Sequence, residues 1–180
     1  MPSHLSSEAL PGTLGLEDLS FYLGRAYHHY CLVLEDSLRA NGVGGHIRPG
    51  MGPVIFALFE SSNLTLRELG EASDLSPSTV TELVQKLEKA GVLARKPCDL
   101  DGRASRITLT AKGRALRERL EAVSRDVNGL LESGLSKTDV ARLKHNLATM
   151  IKAMRARRAE ARIQTAAPSK SGKPSRARSR

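Results

Sequence analysis

The stretch LSPSTVTELVQKLEKAGVLARKPCDLDGRASRITLTAKG, Leu75 to Gly113, decides the fold. It opens on Ser76-Pro77. A serine hydroxyl accepts from the unpaired amides of a first helical turn, and proline is tolerated at the first helical position, where its missing N–H costs nothing. Val80, Leu83, Val84, Leu87 and Ala90 then recur at three- and four-residue steps. One narrow stripe of this helix is therefore apolar, leaving Ser78, Thr79, Thr81, Glu82, Gln85, Lys86 and Lys89 for solvent or a partner. Gly91 stops the helix. Val92 to Arg95 reads as a strand and Pro97 to Arg103 as a polar loop. Ser105 to Leu109 reads as a return strand with Ile107 and Leu109 inward and Arg106 and Thr108 outward.

Just upstream, a helix from about Thr65 to Ala72 buries Leu66 and Leu69, and Ser73-Asp74-Leu75 breaks it. Two short helices joined by a tight turn, the second with a polar outer face, form a helix-turn-helix pattern. A β-hairpin directly after the second helix is a wing. The expected unit, Leu64 to Thr110, is a winged helix-turn-helix.

Flanking segments extend it in both directions. Met1 to Leu16 has no sustained period and reads as a flexible lead. A helix from about Glu17 to Ala40 carries Leu19, Leu23, Ala26, Tyr30 and Val33 in a stripe, and Asn41-Gly42-Val43-Gly44-Gly45 ends it. A second helix, Gly52 to Glu60, tolerates Pro53 in its first turn. On the other side, Thr110 caps a helix from about Ala111 to Leu131 with Leu116, Leu120, Val123, Val127 and Leu130 on one side. Ser136-x-x-Asp139, a capping box with Asp in place of Glu, opens a long helix. Its stripe of Val140, Leu143, Leu147, Met150, Ile151 and Met154 lies near heptad spacing and needs a partner. From about Thr165 to Arg180 the chain is rich in Pro, Ser, Lys and Arg, the composition of a disordered tail. The fold class is mainly α with a small β-hairpin wing, with residues 17–164 forming one domain.

Bulk properties set limits on function. At 180 residues with 40% apolar and 3% aromatic residues and no Trp, the core is built of aliphatic side chains. No apolar run approaches the roughly 18 residues of a membrane span, and the first residues lack a secretory pattern, so a cytoplasmic location is expected. The formal charge of +9 is concentrated at one end. Lys152 to Arg180 holds ten basic residues against Glu160 alone, and the remainder is balanced. Within the balanced part, Lys86 to Arg119 has ten basic residues and four acidic ones. A basic face on the winged unit suits the phosphates of nucleic acid. No phosphate loop, metal motif or nucleophile motif is present, so neither catalysis nor a cofactor is expected. Scarce aromatics argue against an RNA-stacking module.

The run Leu75 to Gly113 resembles the MarR family of bacterial regulators. The likeness covers the recognition helix, a D-x-R motif in the wing (Asp101, Gly102, Arg103) and the L-T-x-x-G that begins the following helix (Leu109, Thr110, Gly113). It extends over roughly Glu17 to Arg158. The resemblance implies a homodimer with intertwined terminal helices that places two recognition helices in successive major grooves of a pseudo-palindromic operator in double-stranded DNA. Ser76, Ser78, Thr79, Thr81, Gln85, Lys86, Lys89, Arg95, Arg103 and Arg106 are the expected DNA-binding residues. Gln suits adenine, Thr a thymine methyl, and Lys86 and Lys89 phosphate. Asp101 is expected to brace the wing and Arg103 to enter a minor groove. Glu82 departs from the family, which often has a basic residue there; the resemblance leaves it to face cytosine, to have an internal partner, or to leave affinity depending more heavily on the wing.

The family's effectors, small aromatic molecules, imply a cleft lined by Tyr22, Arg25, His29 and Arg48. Its peroxide sensors direct attention to Cys31, near Tyr27 and Tyr30, although a buried, inert cysteine is the commoner case. Cys98 lies near the wing without a comparable setting, and Cys31 and Cys98 lack disulfide or metal spacing. Adjacent His28 and His29 point about 100° apart on a helix, poor geometry for joint chelation, so no metal site is expected. A second reading assigns the basic tail to sequence-independent coating of DNA by an architectural protein.

Overall fold

The computed structural model describes residues 18–97 and 105–166. Helix α1 spans Leu19–Ala40 and α2 Gly52–Glu60. A two-residue strand β1, Leu64–Thr65, precedes α3, Leu66–Ser73, and α4, Pro77–Lys89. Strands β2, Leu93–Pro97, and β3, Ser105–Leu109, follow. The chain closes with α5, Ala111–Ala115, α6, Arg117–Glu132, and α7, Lys137–Ala166. Two compact units divide after Leu131. Among the described residues no helix is long and apolar enough to cross a membrane.

Three differences from the sequence reading have physical causes. The wing is not a lone hairpin, because β1 adds to it and places β3 in the centre of the sheet. Leu64 pairs with Ile107 and Thr65 with Arg106, and a strand of two residues is too short to show alternation by itself. β2 also runs to Pro97, which opposes Ser105, so part of the expected loop is strand. Third, the helix expected over Ala111 to Leu131 is two helices broken at Leu116, whose amide bonds the Gly113 carbonyl in a tight turn.

The helix starts follow from side chains. Thr65 and Glu68 form a reciprocal capping box on α3, the carboxylate accepting the Thr65 amide at 2.7 Å and the threonine oxygen accepting the Glu68 amide at 3.2 Å. These bonds hold the Glu68 carboxyl below its ordinary value. On α4, the Ser76 hydroxyl accepts the Thr79 amide at 3.3 Å. At the start of α7, Ser136 accepts the Asp139 amide at 3.1 Å, but the Asp139 carboxylate receives the Ser136 hydroxyl. Only half of that box forms, because the aspartate side chain is one methylene shorter than glutamate and bonds the Ser136 hydroxyl in place of the amide behind it.

The core of the first unit joins Val54, Ile55 and Leu58 of α2, Leu69 of α3, and Val80, Val84 and Leu87 of α4 to Val92, Leu93, Ile107 and Leu109 of the wing. Leu116, Leu120, Val123 and Val127 extend the same core with Leu38, Val43, Ile47 and Met51. Leu130, expected on that stripe, is exposed instead. Along α1, Leu19, Tyr22 and Tyr27 are also exposed. In the second unit, α7 exposes Leu143, Leu147, Ile151 and Met154 at helical spacing.

One contact fixes the wing to the helices around it. Gly91, at φ +70°, turns the chain out of α4 in a left-handed conformation suited to glycine. The first turn of α5 then seals this corner. The Thr110 amide donates to the Val92 carbonyl at 3.0 Å and its hydroxyl to the Gly91 carbonyl at 2.7 Å, while Lys112 Nζ donates to the Ala90 carbonyl at 2.8 Å. Gly113 lies so near that a Cβ there would come 2.2 Å from the Val92 carbonyl oxygen. Gly113→Ala should therefore cost about 1–3 kcal/mol in urea unfolding, whereas Gly45→Ala, whose added methyl meets nothing within 4 Å, should leave the midpoint nearly unchanged. Equal midpoints for both variants would contradict this packing.

Candidate nucleic-acid interface

Helix α4 presents its outer face because its inner face is consumed by the core. Val80, Val84 and Leu87 are fully buried, and Ser78, Glu82, Gln85, Lys86 and Lys89 form one exposed ridge. Their spacing of four, three, one and three residues keeps them on a single face of the 3.6-residue helix.

The expected contact residues do not all lie on this ridge. Ser76 is occupied as the cap, its hydroxyl 2.7 Å from that of Thr79 and 3.1 Å from that of Ser78. Thr79 is half-buried. Thr81, also half-buried, donates its hydroxyl to the Pro77 carbonyl at 2.8 Å, so its oxygen is engaged with the helix backbone. Ser78, Gln85, Lys86 and Lys89 remain on the outer surface. Glu82 has an internal partner, Lys86 Nζ, 2.6 Å from Oε1 and one turn further on. The ammonium's hydrogen bond and charge hold the Glu82 carboxyl below its ordinary value.

Arg95 and Arg106, grouped by sequence as one set of contacts, lie on opposite faces of the wing. Arg95 opposes Ile107 and Lys96 opposes Arg106, and alternate residues of a strand face opposite ways. Arg95 therefore turns toward α4, where its Nε lies 3.0 Å from both carboxylate oxygens of Glu88. Arg106 turns away, donating to the Asn63 carbonyl at 2.9 Å and standing 3.7 Å from Glu68. Both arginines thus brace the unit. Glu88 escaped the sequence reading because its role depends on how the hairpin folds back on α4, which periodicity does not encode. Asp101 and Arg103, the expected brace and tip of the wing, and Cys98 lie outside the described residues.

A separate cleft of about 120 Å³ opens between α1, α2 and α6. Tyr30, Leu34, Arg48, Phe56, Ser124 and Asn128 are among its lining residues. Of the four expected effector-site residues, only Arg48 lines it, with its guanidinium 3.2 Å from Glu35. Tyr22 is exposed, Arg25 stacks over the Phe21 ring at 5.6 Å, and His29 is exposed with its ring 5.5 Å from His28. These three lie nearer the start of α1 than the stretch that borders the cleft. Cys31 is half-buried and hydrogen-bonded to Tyr27, a bond that pushes the Tyr27 hydroxyl above its usual value. Among the described residues no three His, Cys, Asp or Glu side chains cluster as a metal site would require.

The model of the MarR family matches residues 53–105, a stretch that takes in nearly all of α2, then α3, α4 and β2, and stops at the first residue of β3. An HTH-type transcriptional repressor of Mycobacterium tuberculosis is 41% identical over 68 residues, which cover 38% of this chain. The chain spans about half of that repressor's length, 49%. The organic hydroperoxide resistance transcriptional regulator of Bacillus subtilis is 30% identical over 100 residues, covering 56% of this chain and 67% of that protein. Among solved structures, a probable transcriptional regulator from Pseudomonas aeruginosa superposes with a TM-score of 0.64 at 27% identity, covering 74% of this chain and 97% of its own.

The Glu88–Arg95 pair is only partly exposed, at 25% and 34% of the two side chains. A double-mutant cycle with Glu88→Ala and Arg95→Ala, read by thermal unfolding, should give a coupling of about 0.5–1 kcal/mol. Strict additivity would remove the pair from the account of how the wing is held.

Proposed function

The chain belongs to the MarR family of transcriptional regulators, and from that premise we propose that it acts as a homodimeric repressor of a pseudo-palindromic operator. The observation that carries the reading is the exposed polar ridge of α4, held on a side-chain-capped helix and tied to the wing by Glu88 and Arg95. A major groove admits an α-helix, and there Gln85 suits adenine while the Ser78 hydroxyl can meet either a donor or an acceptor on a base edge. Lys86 and Lys89 supply charge toward the backbone. Arg103 takes the minor-groove contact and Asp101 the bracing of the wing that the family resemblance implies.

Dimerisation is supported by apolar side chains that each unit leaves uncovered, Leu19, Tyr22 and Tyr27 on α1 and Leu143, Leu147, Ile151 and Met154 on α7. Patches of this kind mark interfaces. A two-fold arrangement places two α4 ridges about one helical turn of DNA apart.

The α1–α2–α6 cleft is the effector site in this reading. Its aromatic and aliphatic lining with one arginine suits a small aromatic acid, which would compete with Glu35 for Arg48. Binding there alters DNA affinity only by favouring one spacing of the two reading heads. An oxidant acting on Cys31 beside Tyr27 is the alternative trigger, and Cys31→Ser separates the two.

The basic segment ending at Arg180 adds sequence-independent attraction to phosphate. Selection of duplexes from a random pool by the full chain should enrich one inverted repeat. Removing residues 167–180 should then lower affinity for all duplexes and flatten its salt dependence while leaving the preference for that repeat. Loss of the preference on truncation would instead favour an architectural, tail-driven protein. Release of the repeat by an aromatic acid, abolished in Arg48→Ala, tests the cleft. Indifference of Arg48→Ala to that release would exclude it.

A further inference from the structure

At the middle of the α4 ridge stands a carboxylate, Glu82, where a DNA-reading surface meets polyanionic phosphate. Alone it would repel the duplex. It is not alone, because Lys86 Nζ lies 2.6 Å from Oε1, and both side chains are more than half exposed, 63% for Glu82 and 53% for Lys86. The pair is close to neutral and presents an acceptor and a donor side by side, each with bonding capacity left over. A carboxylate has about four lone-pair sites and an ammonium three hydrogens.

The major-groove edge of a C·G pair carries the complementary pattern. Cytosine N4 is a donor, and guanine O6 and N7 are acceptors. N4 and O6 are themselves joined by the pairing hydrogen bond and so stand about 2.9 Å apart, close to the spacing of Oε1 and Nζ. An A·T pair matches less well. Its donor, adenine N6, is flanked by acceptors on both sides, N7 and thymine O4, which repel the free carboxylate oxygen. In C·G the two acceptors lie together on the guanine side, where one ammonium reaches both.

We propose that Glu82 and Lys86 act as one unit that specifies a C·G pair in each half-site, the carboxylate accepting from cytosine N4 while the ammonium donates to guanine O6 and N7. This rests on the operator-binding reading above. It also alters the role given there to Lys86, whose charge is directed at a base and not at phosphate.

The test is in vitro selection and competition binding with the full-length wild type, Glu82→Gln and Lys86→Ala. Wild type should select an inverted repeat with a C·G pair at one position of each half-site and prefer it over A·T there by about tenfold. Glu82→Gln should lose that preference and move toward A·T, because a glutamine amide pairs with adenine N6 and N7. Lys86→Ala should weaken the preference at the same position. A repeat that Glu82→Gln leaves unchanged overturns the inference while the regulator reading stands. So does a Lys86→Ala variant that loses affinity equally for all sequences with a reduced salt slope, the mark of a phosphate contact. A wild type that enriches no repeat overturns the regulator reading and this inference together.

Discussion

The approach of the first turn of α5 to the corner between α4 and β2 is the constraint on which the first unit depends. Three successive carbonyls at that corner, from Ala90 to Val92, are taken by Lys112 and Thr110, and Gly113 leaves no room for a side chain against Val92. The corner fixes where β2 leaves the helix. It thereby sets the ladder from Leu93–Leu109 to Pro97–Ser105 and turns Arg95 toward Glu88. Orientation of the wing relative to the ridge of α4 follows from three hydrogen bonds to the Ala90, Gly91 and Val92 carbonyls, one from the Thr110 amide and two from the Thr110 and Lys112 side chains.

Strand alternation and helix capping decide which polar side chains of this unit stay on its outer surface. Arg95 and Arg106 look equivalent in sequence, yet strand alternation sends one to Glu88 and the other to Asn63 and Glu68. Thr79 and Thr81 look like outward polar residues, yet their hydroxyls serve the cap and the Pro77 carbonyl. What is left on the surface of α4 is narrower than the list of polar residues, and Glu82 is at its centre.

Local signals were legible. Ser76-Pro77 announced α4, Gly91 its end, and the alternation of Ile107 and Leu109 the return strand. The Thr65–Glu68 box is equally local, a T-x-x-E pattern that spans the first turn of α3. β1 and the Glu88–Arg95 pair were not legible, because each is defined by a partner distant in sequence or across a turn. Only Arg48 of the four expected effector residues borders the cleft, since position along α1 relative to α2 and α6 is a tertiary property. The L-T-x-x-G pattern was recognised by resemblance, and its physical reason emerged only from the clearance at Gly113.

The central claim is that two copies of the α4 ridge enter successive major grooves on one face of a duplex. Dimethyl sulfate footprinting of the selected duplex reads this directly, because the reagent attacks guanine N7 in the major groove. Two protected clusters centred about 10–10.5 base pairs apart, with the intervening guanines left reactive, are the result expected. Protection that is absent, or that runs unphased along the duplex, would contradict it.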